Sequence, residues 1–431
     1  MNRISIDRRR FLTSTGIASA ALIMGVRPVR ARQISPNEKL NIGVIGVAGQ
    51  GAWNLERLAS ENIVALCDVD EERRIAAAQK FPGAKLYTDF RKLIDQKDID
   101  AILIATPDHT HAVAAVRALK SGRHLYCEKP LAHTVSEARI ITETARKEKR
   151  ATQLGTQVHA GQNYRRVVEL IQAGAIGVVK EVHVWVNSSW GGRQKSPERP
   201  PVPPHLHYDF WLGPVPFQPY HPEHVHYHWR SWWAFGGGSL ADFGCHFMDL
   251  PHWALNLREP LSAEAEGPPV DPMSPPPWLI VRYEYPARGA SPPVKLTWYH
   301  GGKRPEFLDP VLAKKWPGGI LFMGEKDKML LADYNRYVLL PEKEFEGYVR
   351  PQPTIPDSVG HHKEWIDACK TGSATSCSFD YSGPLTEAAL LGNVAFRAGE
   401  KIQWDARKLK AISCRAADEF IQHHYRRGWR I

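Results

Sequence analysis

The chain has 431 residues, 43% hydrophobic and 24% charged, which suits about two to three domains at roughly 150 residues each and excludes a wholly disordered, collagen-like or coiled-coil protein. The formal charge is +10, but residues 1–32 hold seven arginines and one aspartate, leaving 49 bases against 45 acids in the rest. That remainder carries no basic stripe with interleaved stacking aromatics, so nucleic acid is not an expected partner.

At the N-terminus, Arg8-Arg9-Arg10-Phe11-Leu12 precedes a weakly apolar stretch from Thr13 to Val26, and Val29-Arg30-Ala31 supplies small residues for cleavage. Residues 1–31 resemble a twin-arginine export signal. The apolar stretch is short for a membrane span, so a periplasmic protein with no stable span is expected after export. The twin-arginine route carries folded proteins, and a common reason to fold first is a cofactor loaded in the cytoplasm. The address therefore predicts a tightly held cofactor. The six cysteines form no CxxC pair and read as buried thiols, with neither a disulfide framework nor a zinc site.

From residue 37 to 155 short apolar runs alternate with amphipathic segments. Leu40–Ile45, Ile63–Cys67, Ala101–Ala105 and His124–Cys127 read as strands buried on both faces of a parallel sheet. Glu71–Lys80, Phe90–Asp95 and Ala112–Leu119 have helical spacing, and Thr134-Val135-Ser136-Glu137 fits a capping box. The alternation predicts an α/β, doubly wound Rossmann domain. Its first strand runs into Gly46-Val47-Ala48-Gly49-Gln50-Gly51. A dinucleotide loop needs glycine for the turn, a small residue where the pyrophosphate approaches, and glycine where helix meets strand. Gly46, Ala48 and Gly51 take those places, Ala48 departing from the usual glycine while Gly49 keeps the loop permissive. Asp68 ends the second strand, where its carboxylate would accept from the adenine ribose hydroxyls and repel a 2′-phosphate. NAD is thus favoured over NADP; Arg73 and Arg74 are close enough to soften that preference, but following Glu71-Glu72 they read as solvated helix bases.

Two further strand ends carry more specific patterns: Ala105-Thr106-Pro107-Asp108-His109-Thr110-His111, and Cys127-Glu128-Lys129-Pro130-Leu131. With the glycine loop they resemble the glucose-fructose oxidoreductase, inositol dehydrogenase and rhizopine catabolism (Gfo/Idh/MocA) family over residues 40 to 400. Thr106-Pro107 closes a strand where a nicotinamide would lie. Lys129, charged at the end of a buried strand, calls for an acid or a ligand to pair it. The resemblance implies that Lys129 touches both the substrate hydroxyl and the nicotinamide ribose, through a Lys129–Pro130 bond that is often cis. The expected cofactor set is Gly46, Ala48, Gly49, Gln50, Gly51, Asp68, Thr106, Pro107, His111, Glu128 and Lys129.

Residues 156–431 read as a second, α+β domain. Asn163–Gly174 is an expected helix and Val178–Asn187 a strand; Leu279–Tyr285, Val294–Tyr299, Ile320–Met323, Met329–Leu331 and Val338–Leu340 add to a large, mostly antiparallel sheet, and helices near His361–Thr371 and Leu385–Ala398 close the chain. The resemblance implies helices on one face of that sheet and homo-oligomers through the other. Ten of the 28 residues from Tyr208 to Phe235 are aromatic, which suits either a domain core or stacking on sugar faces. After Gly236-Gly237-Gly238, Asp242 and His246 stand four apart on one helix face. A carboxylate beside an imidazole orients it and raises its basicity, and in the family a D-x-x-x-H pair here does acid-base work with the lysine. His205, His207, His221, His224, His226 and His228 also cluster, but no convincing cysteine or acid accompanies them, so no metal is expected.

The sequence therefore predicts an NAD(P)-dependent oxidoreductase acting on a sugar, polyol or related carbohydrate, with Lys129, Asp242 and His246 as catalytic residues. An exported enzyme has no cytoplasmic pool for its reducing equivalents, so two closed cycles compete with net oxidation: transfer between two sugars, and glycoside cleavage by oxidation, elimination and return of the hydride. A carbohydrate-binding protein on a retired dehydrogenase fold is disfavoured because lysine, aspartate and histidine are all present.

Overall fold

The computed structural model describes residues 38–431, so the expected export signal lies outside the described residues. The apolar runs become strands β1 (Asn41–Ile45), β2 (Asn62–Cys67), β3 (Lys85–Tyr87), β4 (Ala101–Ile104), β5 (His124–Cys127) and β6 (Thr152–Leu154). Between them lie α1 (Gln50–Arg57), α2 (Glu71–Lys80), α3 (Phe90–Ile94), α4 (His111–Lys120) and α5 (Val135–Glu148). The strands are all parallel, in the order β3-β2-β1-β4-β5-β6. Strand order reverses between β1 and β4, and a doubly wound sheet binds its ligand in the crevice at the carboxyl ends of such a pair. All four residues of β4 are buried, which is why it shows a continuous apolar run and no alternation. The capping box forms in both directions: Thr134 Oγ1 accepts from the Glu137 N–H, and Glu137 Oε2 accepts from the Thr134 N–H at 3.0 Å.

The second half supplies α6 (Gln162–Gln172), β7 (Glu181–Trp185), α7 (Tyr208–Leu212), α8 (Gly238–Phe247), α9 (Asp249–Ala254), β8 (Ser262–Glu266), β9 (Leu279–Tyr285), β10 (Val294–His300), α10 (Pro310–Lys315), β11 (Gly319–Met323), β12 (Met329–Ala332) and β13 (Tyr337–Leu340). The remaining elements are α11 (His361–Thr371), α12 (Phe379–Ala398), β14 (Ile402–Asp405), β15 (Lys410–Ala411) and α13 (Asp418–Ile421). The sheet runs β13-β12-β11-β7-β10-β9-β8-β14-β15; β7 and β10 pair in parallel and the other pairs are antiparallel. Val168, Leu240, Leu250 and Leu391 bring α6, α8, α9 and α12 against one face of it.

Besides the unannounced strands β3, β6, β8, β14 and β15, two further features differ from the sequence expectation. Helix α12 begins at Phe379, before Pro384, and not at Leu385. Proline at that place denies the Asp380 carbonyl its helical donor, and Arg258 Nη1 donates to that oxygen at 3.0 Å instead. The chain also returns to the first sheet: Trp365 and Ile366 of α11 pack with Leu40 and Ile42, while Cys377 and Phe379 pack with Leu125 and Leu154. All six cysteines are buried and free. Among the described residues no helix is long and apolar enough to cross a membrane.

Candidate functional site

At the end of β1 the chain turns through Gly46 with φ of +84°, a conformation that favours glycine. A Cβ on Gly46 would lie 2.5 Å from the Ala105 oxygen, and one on Gly51 1.9 Å from the Gly46 oxygen. Both glycines are therefore demanded by close backbone approach. Gly49 precedes α1, whose first turn has no side-chain cap; such a helix start, with its dipole, is suited to a pyrophosphate.

A cavity of about 430 Å³ opens here, and Gly46, Ala48, Gly49, Gln50, Asp68, Thr106, Pro107, Glu128, Lys129 and His246 all line it. Gly51 lies beneath the loop. His111 is a correction. Its ring nitrogens sit 2.8 Å from the Pro130 and Thr106 oxygens, behind the lining residues, and burial lowers its pKa to about 4. It fastens the Thr106 and Pro130 turns to each other and is not placed to touch the cofactor.

Asp68 Oδ2 accepts from the Val47 N–H and Oδ1 from the Asp70 N–H, each at 3.0 Å, which fixes the carboxylate at the loop. Burial raises its pKa, and those two N–H groups oppose the rise. The neighbouring arginines are not both solvated. Arg74 turns inward to donate to Thr88 Oγ1 and the Asp68 oxygen, and Arg73 lines the cavity. Glu128, on the far side, accepts from Asn54 Nδ2 and Gln157 Nε2 at 2.9 Å and from Gln50 Nε2 at 3.3 Å. It binds the start of α1 to the end of β5.

Lys129 follows β5, and its bond to Pro130 is cis. Its Nζ donates to the Asp242 carboxylate and, at 3.0 Å, to the Asp242 backbone oxygen. An ammonium has three donors, so one stays available to the cavity. Asp242 also receives Trp190 Nε1 at 2.6 Å and faces Arg230 Nε at 3.0 Å. Burial alone would raise its pKa, but Lys129 and Arg230 outweigh that and hold it well below the usual carboxylate range.

The members of the expected Asp242–His246 pair make different contacts. The two share a face of α8, yet the aspartate is occupied by Lys129, Trp190 and Arg230, while His246 Nδ1 is buried without a partner. Burial and the Lys129 charge lower the His246 pKa to about 3, against the pull of Asp242. His246 thus presents a neutral ring to the cavity, and Asp242 serves as the counter-charge that places Lys129.

Sequence reasoning missed Arg230 and Asp108. Arg230 stacks 4.1 Å over the Trp229 ring beside Asp242. Asp108, 2% exposed, lines the cavity, and its Oδ1 has no hydrogen-bond partner. Burial, opposed by Arg230 and Lys129, pushes its pKa up to about 8, so it is a carboxylic acid at neutral pH. The signal lay in the Thr-Pro-Asp turn itself, an acid at the mouth of a buried strand.

The aromatic stretch forms a core: Trp211, Trp229, Trp232 and Phe235 pack with Leu206 and Leu212, and Phe210, Trp211, Tyr227 and Trp229 also line the cavity. The clustered histidines divide: His224 packs on Phe235, while His226 Nε2 meets Asp70 Oδ2 at 3.0 Å and His205 Nε2 lies 3.7 Å from the same oxygen. Among the described residues, Asp70, Glu72 and His205 bring possible metal-ligand atoms within 4.8 Å of one another.

The site fits a dinucleotide on three structural counts: glycines where a Cβ would collide, an uncapped helix start, and a carboxylate at the end of β2. The comparisons agree. The model for the NAD-binding Rossmann fold of the Gfo/Idh/MocA oxidoreductase family matches residues 40–156, and that for its C-terminal α/β domain matches residues 161–291. Inositol 2-dehydrogenase of Salmonella typhimurium is 34% identical over 150 residues, 33% of this chain and 45% of that protein. Alpha-N-acetylgalactosaminidase of Shewanella oneidensis is 28% identical over 202 residues, 40% of this chain and 44% of that protein. The matches thus span less than half the length of these relatives. The WlbA dehydrogenase of Bordetella pertussis, solved with NADH and UDP-GlcNAcA, shares the fold at a TM-score of 0.58, with 19% identity over 85% of this chain and 99% of that one. Loop, cavity and matched segments together make this chain a member of the Gfo/Idh/MocA oxidoreductase family, with an NAD-binding Rossmann domain.

Proposed function

We propose that this chain oxidises a hydroxyl of a sugar, polyol or related carbohydrate, with NAD as the hydride carrier. The observation that carries the reading is the convergence of Lys129 and His246 beside the glycine loop in one cavity, with Asp242 held against the Lys129 ammonium. Bound NAD would supply a hydride acceptor at the carboxyl edge of the sheet. Lys129, with one donor free, would hold the substrate oxygen and stabilise the alkoxide as it develops. Asp242 would keep that ammonium in place. The neutral His246 ring would accept the hydroxyl proton, its basicity rising as the alkoxide offsets the Lys129 charge. Asp108, protonated, would donate a hydrogen bond from the same wall. NADP is the less favoured nucleotide, because Asp68 faces the place of its 2′-phosphate.

We also propose twin-arginine export to the periplasm, supported by Arg8, Arg9 and Arg10 before the short apolar stretch, a cofactor retained through turnover, and self-association into a homo-oligomer. Export favours a second reading, redox-neutral cleavage of a glycoside, and the similarity to an alpha-N-acetylgalactosaminidase supports it. Denaturing the purified protein and identifying the released nucleotide by mass spectrometry, followed by a carbohydrate screen against Lys129→Ala, tests the proposal. NAD and Lys129-dependent conversion of a carbohydrate are expected; a nucleotide-free protein inert to carbohydrates with and without added NAD overturns it.

A further inference from the structure

The last residues of the chain run back over the first domain, beyond both segments that match the family. Tyr425 donates its hydroxyl to Glu137, and His423 meets His133. Arg426 is the main anchor. Its backbone N–H donates to the Pro214 oxygen at 3.0 Å, its Nε to the Gly213 oxygen at 2.6 Å, and its guanidinium binds Asp209. Trp429 N–H then donates to the Arg426 oxygen at 3.2 Å.

These anchors set the Trp429 indole 5.9 Å from the Phe90 ring and 4.8 Å from the Arg91 guanidinium. Trp429 and Phe90 line the cavity together with Asp68, Arg73, Thr88 and Asp89. Asp68 marks the ribose next to the adenine, since a carboxylate at the end of β2 is the group that receives those hydroxyls. The indole is therefore at the adenosine end, far along the cavity from Lys129 and His246 in the order of the elements that line it. An aromatic face there offers the adenine a stacking partner, and the backbone that carries it is pinned at Arg426.

We propose that residues 423–429 form the outer wall of the adenosine end of the NAD site, and that Trp429 is a cofactor-positioning residue that slows release of the dinucleotide. This rests on the reading that NAD occupies the cavity. It also gives the retained cofactor a physical cause: release requires the segment to leave Asp209, Gly213 and Phe90.

The test is the rate at which the full-length protein, loaded with NAD, exchanges it for isotope-labelled NAD. Trp429→Ala should exchange about tenfold faster than the wild type, the size of one base–aromatic stack, and Trp429→Phe should stay close to the wild type. Equal rates in the wild type and a folded Trp429→Ala would overturn the inference. Should Trp429→Ala fail to fold, Arg426→Ala, which unpins the same segment without touching the cavity, must exchange faster; an unchanged rate overturns the inference equally. The outcome is separable from the proposed reaction. Faster exchange with no carbohydrate turnover in any variant would leave this inference standing and remove the reaction, and turnover with equal exchange rates would do the reverse.

Discussion

Lys129 and Asp242 meet across 113 residues of sequence, the ammonium donating to both the carboxylate and the backbone oxygen of the aspartate. One comes from the end of β5 in the parallel sheet and the other from α8 against the large sheet, so folding itself assembles the charge pair. Trp190 and Arg230 hold the carboxylate from two further segments, and Lys129 is left with a fixed position and one unspent donor.

Lys129→Ala should therefore impair chemistry and spare binding. Asp242 keeps Arg230 and Trp190, so the fold and the bound nucleotide should survive, while kcat/KM on the carbohydrate should fall about 10²–10⁴-fold. Steady-state kinetics beside a nucleotide assay of the purified variant check this; normal turnover would remove Lys129 from the mechanism.

Asp68 is the proposed determinant of the nucleotide. Asp68→Asn keeps an oxygen for one of the Val47 and Asp70 N–H groups, turns its amide NH2 toward the other, and removes the charge that repels a 2′-phosphate. The ratio of NADP to NAD affinity should rise about tenfold, given that one close charge interaction of this kind is worth one to a few kcal/mol. Titration of both nucleotides against each variant reads the ratio, and an unchanged ratio would refute the assignment.

Much of this arrangement was visible in the sequence because it is local. The glycine loop, the buried strands β1 and β4 and the Thr134–Glu137 box are set by neighbours within a few residues. Strands β3, β6 and β8 were not visible: Lys85-Leu86-Tyr87 is an exposed edge, Thr152-Gln153-Leu154 is only three residues, and Ser262–Glu266 is polar. At the site, the spacing of Asp242 and His246 on a helix face was legible, but the partner Asp242 takes was not. That depends on Lys129, Trp190 and Arg230 arriving from elsewhere. Asp108 escaped notice for the same reason, since only the packed fold buries it.

The buried Asp108 carboxyl gives a prediction in pH. Its pKa is about 8 in the folded chain and about 4 in an unfolded one, so folding retains a proton that the unfolded chain releases between those values. Its contribution to stability is full below about pH 4 and is lost as pH rises through about 8. Asp108→Asn, which cannot ionise, should have a higher Tm than the wild type at about pH 8, with the gap closing toward about pH 4. Thermal unfolding of both proteins across that range is the check, and a pH-independent gap would contradict the assigned protonation.

The proposed retained NAD would pass through a closed cycle of hydride transfer at Lys129 and His246. Counting NADH by absorbance when a single carbohydrate is added to the purified, nucleotide-loaded enzyme tests it most directly. At most one equivalent per active site is expected, with further turnover absent or spectroscopically silent; silent release of a sugar from a glycoside would identify the cleavage cycle, and turnover only with a second carbonyl acceptor would identify transfer. Several equivalents of free NADH accumulating with added NAD would rule out the closed cycle and make this an ordinary dehydrogenase with an exchangeable cofactor.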